Sequence, residues 1–174
     1  MTAFVALLRA VNVLGTGKLP MTELKSMCES CGFESVRTYI ASGNVVFQSR
    51  KKEAQVKAAL EAALLAFAGK PMAAMVRTAE EMAAVLAANP FAHHRGDRTV
   101  AFFLDHAPTQ TDLDCVSKLT NEQLHLGRRE IYVAYPDGIG NSRLNLPAAR
   151  LGTARNMNTI AKLAQMAADL KTSK

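Results

Sequence analysis

No apolar run in this chain approaches the ~20 residues that a membrane-spanning helix needs, so a membrane protein is not expected. Cysteine is scarce, with three among 174 residues. That is too few for a disulfide framework and fits a reducing compartment. The first fifteen residues are apolar, but no basic residue precedes the run and Arg9 interrupts it. They read as a buried strand rather than a signal peptide, and a cytoplasmic location is expected. Aromatic residues make up only 6%, which leaves little material for stacking nucleobases.

What is present is a core-forming composition: 49% of the residues are hydrophobic, which excludes disorder. The formal charge is +6, unevenly spread. Residues 1–77 carry 10 Lys/Arg against 5 Asp/Glu, whereas residues 78–174 carry 11 against 10. The basic first half admits an anionic partner, and ordinary solubility is the plainer explanation.

Ala3 to Leu8 is short and continuously apolar, as in a strand buried on both faces. Pro20 and Glu23 open a helix whose apolar stripe is Leu24, Met27, Cys28 and Cys31, and Gly32 ends it. Val36–Ile40 and Val45–Phe47 flank Ser42-Gly43-Asn44, a hairpin signal. Lys52–Phe67 is a periodic helix with Val56, Leu60, Ala63, Leu64 and Phe67 on one face, and Pro71–Arg77 reads as a strand. This β-α-β-β-α-β order is the ferredoxin-like unit. From Thr78, which with Glu81 forms a capping box, a second unit follows. Its helix ends near Asn89-Pro90. A strand is expected over Thr99–Leu104, a helix over Thr109–Leu119 and a hairpin over Gln123–Leu126 and Ile131–Tyr135. A glycine-containing loop and a final helix over Asn158–Leu170 complete it. No closing strand is evident in this half. The expected fold class is α+β, with two ferredoxin-like (α-β plait) subdomains, 1–77 and 78–174, packed together. Their central strands lack polar alternation, so both sheets should be covered on both faces.

Several motifs fail on their chemistry. Gly15-Thr16-Gly17-Lys18 is not a Walker loop, because Asn12 stands where its first glycine belongs and Leu19 where Ser or Thr would bind magnesium. Such a loop entering a helix still exposes backbone N–H groups that can hold an anion. Cys28-Glu29-Ser30-Cys31 lies at a helix C-terminus, which disfavours the thiolate, and no further zinc ligands have suitable spacing. His93-His94-Arg95 lacks a general acid–base partner in the sequence. Ser42 lacks the Gly-x-Ser-x-Gly elbow. The strand order is that of RRM domains, yet Asn44-Val45-Val46-Phe47-Gln48 lacks their basic-Gly-aromatic opening. Thr153 to Thr159 reads as the opening of the last helix, with Asn156 or Asn158 as cap. Arg155 there is either an anion contact or a brace bonded to carbonyls.

Together the motifs Leu8-Arg9-Ala10-Val11-Asn12-Val13, Pro20-Met21-Thr22-Glu23-Leu24-Lys25 and Gly32-Phe33 resemble the bacterial DUF1697 family, a group without established function. The likeness is strongest over Arg37–Phe47. It recurs at Asn89-Pro90-Phe91, Ile131-Tyr132, Ser142 and Arg155–Thr159. The resemblance spans nearly the whole chain and implies two ferredoxin-like subdomains, but no catalytic residues. Ala10 and Leu14 replace glycines of the opening motif, and Met157 replaces the usual Trp.

The expected ligand is a small anionic molecule in a cleft between the units. Polar residues that interrupt apolar or regular elements mark the expected site: Arg9, Asn12, Lys18, Ser42, Asn44, Arg155, Asn156 and Asn158. No cofactor, metal or catalytic constellation is indicated. Two alternatives belong to other classes. One is a nucleic-acid-binding module with Arg37, Arg50, Lys51, Lys52 and Lys57 on one exposed face. The other is a structural or interaction protein whose polar residues pair with one another.

Overall fold

A computed structural model describes residues 1–9 and 18–172. The first sheet has strands β1 (Thr2–Leu8), β2 (Glu34–Tyr39), β3 (Asn44–Ser49) and β4 (Ala74–Thr78), in the antiparallel order β2-β3-β1-β4. Helices α1 (Met21–Ser30) and α2 (Glu53–Ala68) make the crossovers. This is the ferredoxin-like arrangement expected of the first half. The second sheet repeats it with β5 (Thr99–Phe103), β6 (Gln123–Leu126), β7 (Glu130–Ala134) and β8 (Thr153–Asn156), in the order β6-β7-β5-β8. Here α4 (Gln110–Asp114) is short, and a loop with 3-10 turns at Ile139–Asn141 and Pro147–Leu151 replaces the second crossover helix. Helix α3 (Ala79–Ala87) follows β4, and α5 (Met157–Thr172) follows β8. The fold is mixed α+β, two α-β plait units.

The compact units are Met1–Ala83 with Lys162–Lys174, and Ala84–Ala161. The first crossing, between Ala83 and Ala84, lies inside α3. The second lies inside α5, so a continuous helix contributes to both units.

Each unit has its own core. In the first, Phe4, Ala6 and Leu8 of β1, Val45 and Phe47 of β3, and Ala74 and Val76 of β4 pack against Leu24 and Cys28 of α1 and Val56, Leu60 and Leu64 of α2. Phe33 stacks on Phe47, with ring centroids 4.3 Å apart. Phe67, expected on the α2 stripe, is 46% exposed. It stands in the last turn of α2, one residue before the helix ends at Ala68. In the second unit Val100, Leu104, Ile131, Val133 and Tyr135 pack with Leu146 and Ala148 of the long loop.

The opposite sheet faces are buried too. Ala3, Val5 and Leu7 of β1, and Ala101 and Phe103 of β5, are at most 2% exposed. Gln48 Nε2 of β3 donates to Leu170 O of α5 at 3.0 Å. In the second unit Tyr132 Oη donates to Val85 O of α3 at 2.7 Å.

Two sequence expectations are corrected. The second half does have a closing strand: Thr153–Asn156 pairs antiparallel with β5, with Arg155 opposite Ala101. Thr153 to Asn156 is therefore strand, and the helix opens only at Met157. The helix expected over Thr109–Leu119 stops at Asp114, because Ser117 leaves to form a bridge with Asn145.

The entry to β8 requires a glycine. A Cβ on Gly152 would lie 2.1 Å from Phe103 O and 2.8 Å from Leu104 Cδ2. Gly152→Ala is expected to cost about 2–3 kcal/mol through overpacking against backbone that cannot yield. Gly140 has nothing within 4 Å of its Cβ position, so Gly140→Ala should stay within about 0.5 kcal/mol of the parent. Urea denaturation of the two variants checks the contrast.

Candidate functional site

Arg9 follows β1 directly, and the backbone fixes its surroundings. Leu8 N donates to Gly43 O at 2.8 Å, and Arg9 N donates to Ala73 O at 2.9 Å. Leu7 is opposite Asn44 in the β1–β3 ladder. The end of β1, the hairpin turn Ala41–Gly43 and the entry to β4 therefore meet at one end of the first sheet, bringing Arg9, Ser42 and Asn44 together. Asn44 is fully buried and braces the turn, its Nδ2 donating to Tyr39 O at 3.0 Å and Ser42 Oγ at 2.9 Å. Gly43 takes a φ of 81° in this turn, the left-handed region glycine enters at little cost. Arg9 as a residue is half-buried, and its guanidinium has no hydrogen bond or ion pair among the described residues. Lys18 is exposed. Asn12 lies outside the described residues.

Arg155, Asn156 and Asn158 stand at the β8–α5 junction of the second unit. Asn156 is the helix cap, its Oδ1 accepting from Thr159 N at 2.9 Å. Asn158 is exposed, and its Oδ1 would lie 2.1 Å from a Cβ on Gly96. Arg155 is 9% exposed, and its Nη1 donates to Thr153 Oγ1 and to Ala154 O, both at 2.8 Å. Burial pulls its pKa down to about 10, so it stays charged at neutral pH.

Arg77 of β4, not singled out in the sequence, repeats this arrangement. It is 1% exposed, and its Nη1 donates to Val76 O, the carbonyl of the preceding residue, at 2.9 Å. Its register partner is Val5 of β1. Just as Asn156 caps α5, Thr78 caps α3: its Oγ1 accepts from Glu81 N at 3.2 Å and its N–H donates to Glu81 Oε2 at 2.9 Å. The sequence signal was a charge closing the apolar run Met72–Val76.

Two of the basic residues considered for nucleic-acid contact are engaged within the fold. Lys51 Nζ donates to Cys31 O at 2.7 Å and stands over the Phe33 ring, whereas Lys57 Nζ pairs with Glu61 and Ala74 O, each at 2.6 Å. Arg37, Arg50 and Lys52 are exposed. Among the described residues no three His, Cys, Asp or Glu side chains converge. An apolar groove of about 330 Å³ is lined by Ala62, Leu65, Pro71 and Met72. Its one acid, Glu61, is bound to Lys57 and to Ala74 N.

The second unit holds a polar constellation that the sequence did not reveal. Glu122, 7% exposed, accepts from Thr120 N at 2.9 Å, Thr120 Oγ1 at 3.1 Å and the Ser142 hydroxyl. These donors, Ser142 first, lower its pKa from the ordinary 4.5 to about 2. Only Ser142 carried a sequence signal, in the family resemblance.

A family profile described as "Protein of unknown function (DUF1697)" matches residues 1–132. A solved structure, described as that of the conserved bacterial protein SP0830 from Streptococcus pneumoniae, shares the fold with a TM-score of 0.79. It is 24% identical over 95% of this chain and 98% of its own. No curated protein matches the chain.

Two outcomes follow. Burial pushes the Cys28 thiol up to about 12, and burial also raises that of Cys31, whereas Cys115 is exposed. A thiol-alkylating reagent at neutral pH is therefore expected to label Cys115 first and Cys28 only on unfolding, as mass spectrometry of labelled peptides reads directly. The depressed pKa of Glu122 contributes stability that is present above pH 4.5 and lost as pH falls through about 2. Ser142→Ala removes the largest cause. It should lower stability at neutral pH and flatten the acid dependence between these values, measured by denaturant unfolding across the pH range.

Proposed function

Because the chain belongs to the DUF1697 family, which is defined without an activity, we propose that it binds a small anionic ligand through Arg9 at the end of the first sheet. The observation that carries this reading is the contrast among its arginines. Arg77 and Arg155 are deeply buried and bonded to backbone carbonyls. Arg9 is half-buried and has no polar partner among the described residues. A partly desolvated guanidinium attracts a carboxylate or phosphate more strongly than one in bulk water, and its fork geometry favours a bidentate oxyanion. Asn44, pinning the hairpin turn from inside, makes the neighbouring wall rigid. The excess of positive charge in residues 1–77 favours the same class of ligand.

The test is a thermal-shift screen at low salt against inorganic phosphate, nucleotides, phosphorylated metabolites, dicarboxylates and oligonucleotides. A small anion at a hundredfold excess over its Kd should add about 2.7 kcal/mol, roughly 5–10 °C for a chain of this size. Arg9→Gln should melt like the parent without ligand and lose that shift. Stabilisation by oligonucleotides alone would move the assignment to nucleic acid. A small-anion shift that survives in Arg9→Gln would remove Arg9 from the site.

A further inference from the structure

The hairpin turn beside Arg9 carries a side chain that costs the free protein twice. Ile40, which links β2 to the turn, takes a φ of 48°. A β-branched residue in the left-handed region is strained, at a cost that glycine or asparagine largely avoids. Ile40 is also 52% exposed and stands outside the apolar core of the first unit, so burial does not offset the strain. The conformation is imposed by the surroundings. Asn44 clamps the turn on either side of Ile40, donating to Tyr39 O and to Ser42 Oγ. Strain held in place by a rigid frame is typical of segments that grip a ligand.

Sheet geometry sets Ile40 and Arg9 on the same side. Leu7, Asn44 and Tyr39 are register partners across β1, β3 and β2 and form one row. Leu8 packs toward α1 and α2, so the row of Leu7 lies on the opposite face. Arg9 N donates to Ala73 O, which carries the β1–β4 ladder one step beyond Leu8. The two-residue period then returns Arg9 to the face of Leu7. Ile40 leads directly out of the same row at Tyr39. Two inter-strand spacings, about 10 Å, separate the backbone positions of Arg9 and Ile40. The apolar groove along α2 belongs to the other face of the sheet.

Resting on the reading of Arg9 as an anion site, we infer that Ile40 determines the specificity of that site and that its ligand is an organic oxyanion with an apolar body. The charged end takes the Arg9 guanidinium. The body, about 10 Å long, crosses the turn and covers Ile40, removing apolar surface of both from water. An anion that is polar throughout fills only the Arg9 end and gains nothing from the exposed isoleucine.

Calorimetric titration of the full chain with inorganic phosphate and with linear carboxylates from acetate to octanoate tests this. Affinity in the series is expected to rise about threefold to fourfold for each methylene that reaches Ile40. Ile40→Asn should melt at or above the parent temperature, because asparagine enters the left-handed region readily. It should bind inorganic phosphate as the parent does and lose the dependence on chain length. Arg9→Gln should lose every anion. Phosphate binding accompanied by equal affinity for all the carboxylates would overturn the inference and leave Arg9 in place. Length dependence that survives in Ile40→Asn would overturn it too, and would move the apolar body to the groove along α2. If no anion binds at all, the Arg9 reading falls and this ligand class falls with it.

Discussion

Strand β1 is dry on both sides and β5 nearly so, and this constraint organises everything else. Ala3 to Leu8 are all at most 2% exposed. A four-stranded antiparallel sheet ordinarily turns one face to water. Here a second layer of contacts is required, and α5 through Gln48 and α3 through Tyr132 are tied to it by side chain-to-carbonyl bonds. Burial on this scale supplies the hydrophobic stabilisation, roughly 25 cal/mol per Å² of apolar surface removed from water. It also makes any charge on those faces expensive unless hydrogen-bonded, and two arginines are placed there nonetheless.

Those arginines reveal a repeat that the letters conceal. Arg77 and Arg155 each occupy the strand that closes a sheet, one residue before the side chain that caps the next helix. Each bonds the carbonyl of its predecessor. Their register partners, Val5 and Ala101, are equivalent positions of β1 and β5. The hairpin turns match as well. Asn44 opposes Leu7 and braces its turn with donors, whereas Glu130 opposes Phe103 and accepts from Arg128 N at 3.0 Å and Arg129 N at 3.1 Å. An amide and a carboxylate thus do the same structural work with opposite polarity, which is why comparison of residues alone finds no duplication.

The regular elements were legible where hydrophobic period and caps agreed. Val56, Leu60 and Leu64 gave α2, and Ile160, Leu163, Ala167 and Leu170 gave α5, all buried as their spacing requires. Strand β8 was not legible, because Thr-Ala-Arg-Asn has almost none of the β-branched or aromatic character of a strand. It exists because β5 offers an unpaired edge, a tertiary cause invisible in local sequence. Of the residues expected at a site, three fall together. Arg9, Ser42 and Asn44 do share one end of a sheet, since a break in an apolar run marks a strand end. The Glu122 cluster was hidden because its residues are ordinary loop residues, from Thr120 to Ser142, drawn together only by the fold.

The make-up of the first unit has a consequence for how this protein comes into being. Its sheet forms from the earliest part of the chain, yet residues from Lys162 onward belong to the same unit, and Gln48 waits for Leu170, 122 positions later. During vectorial synthesis Leu170 leaves the ribosome 122 residues after Gln48, so this part of the unit stays incomplete over that whole interval. An unfinished sheet is prone to wrong association for as long as it waits, the period in which a holding chaperone has most to offer it.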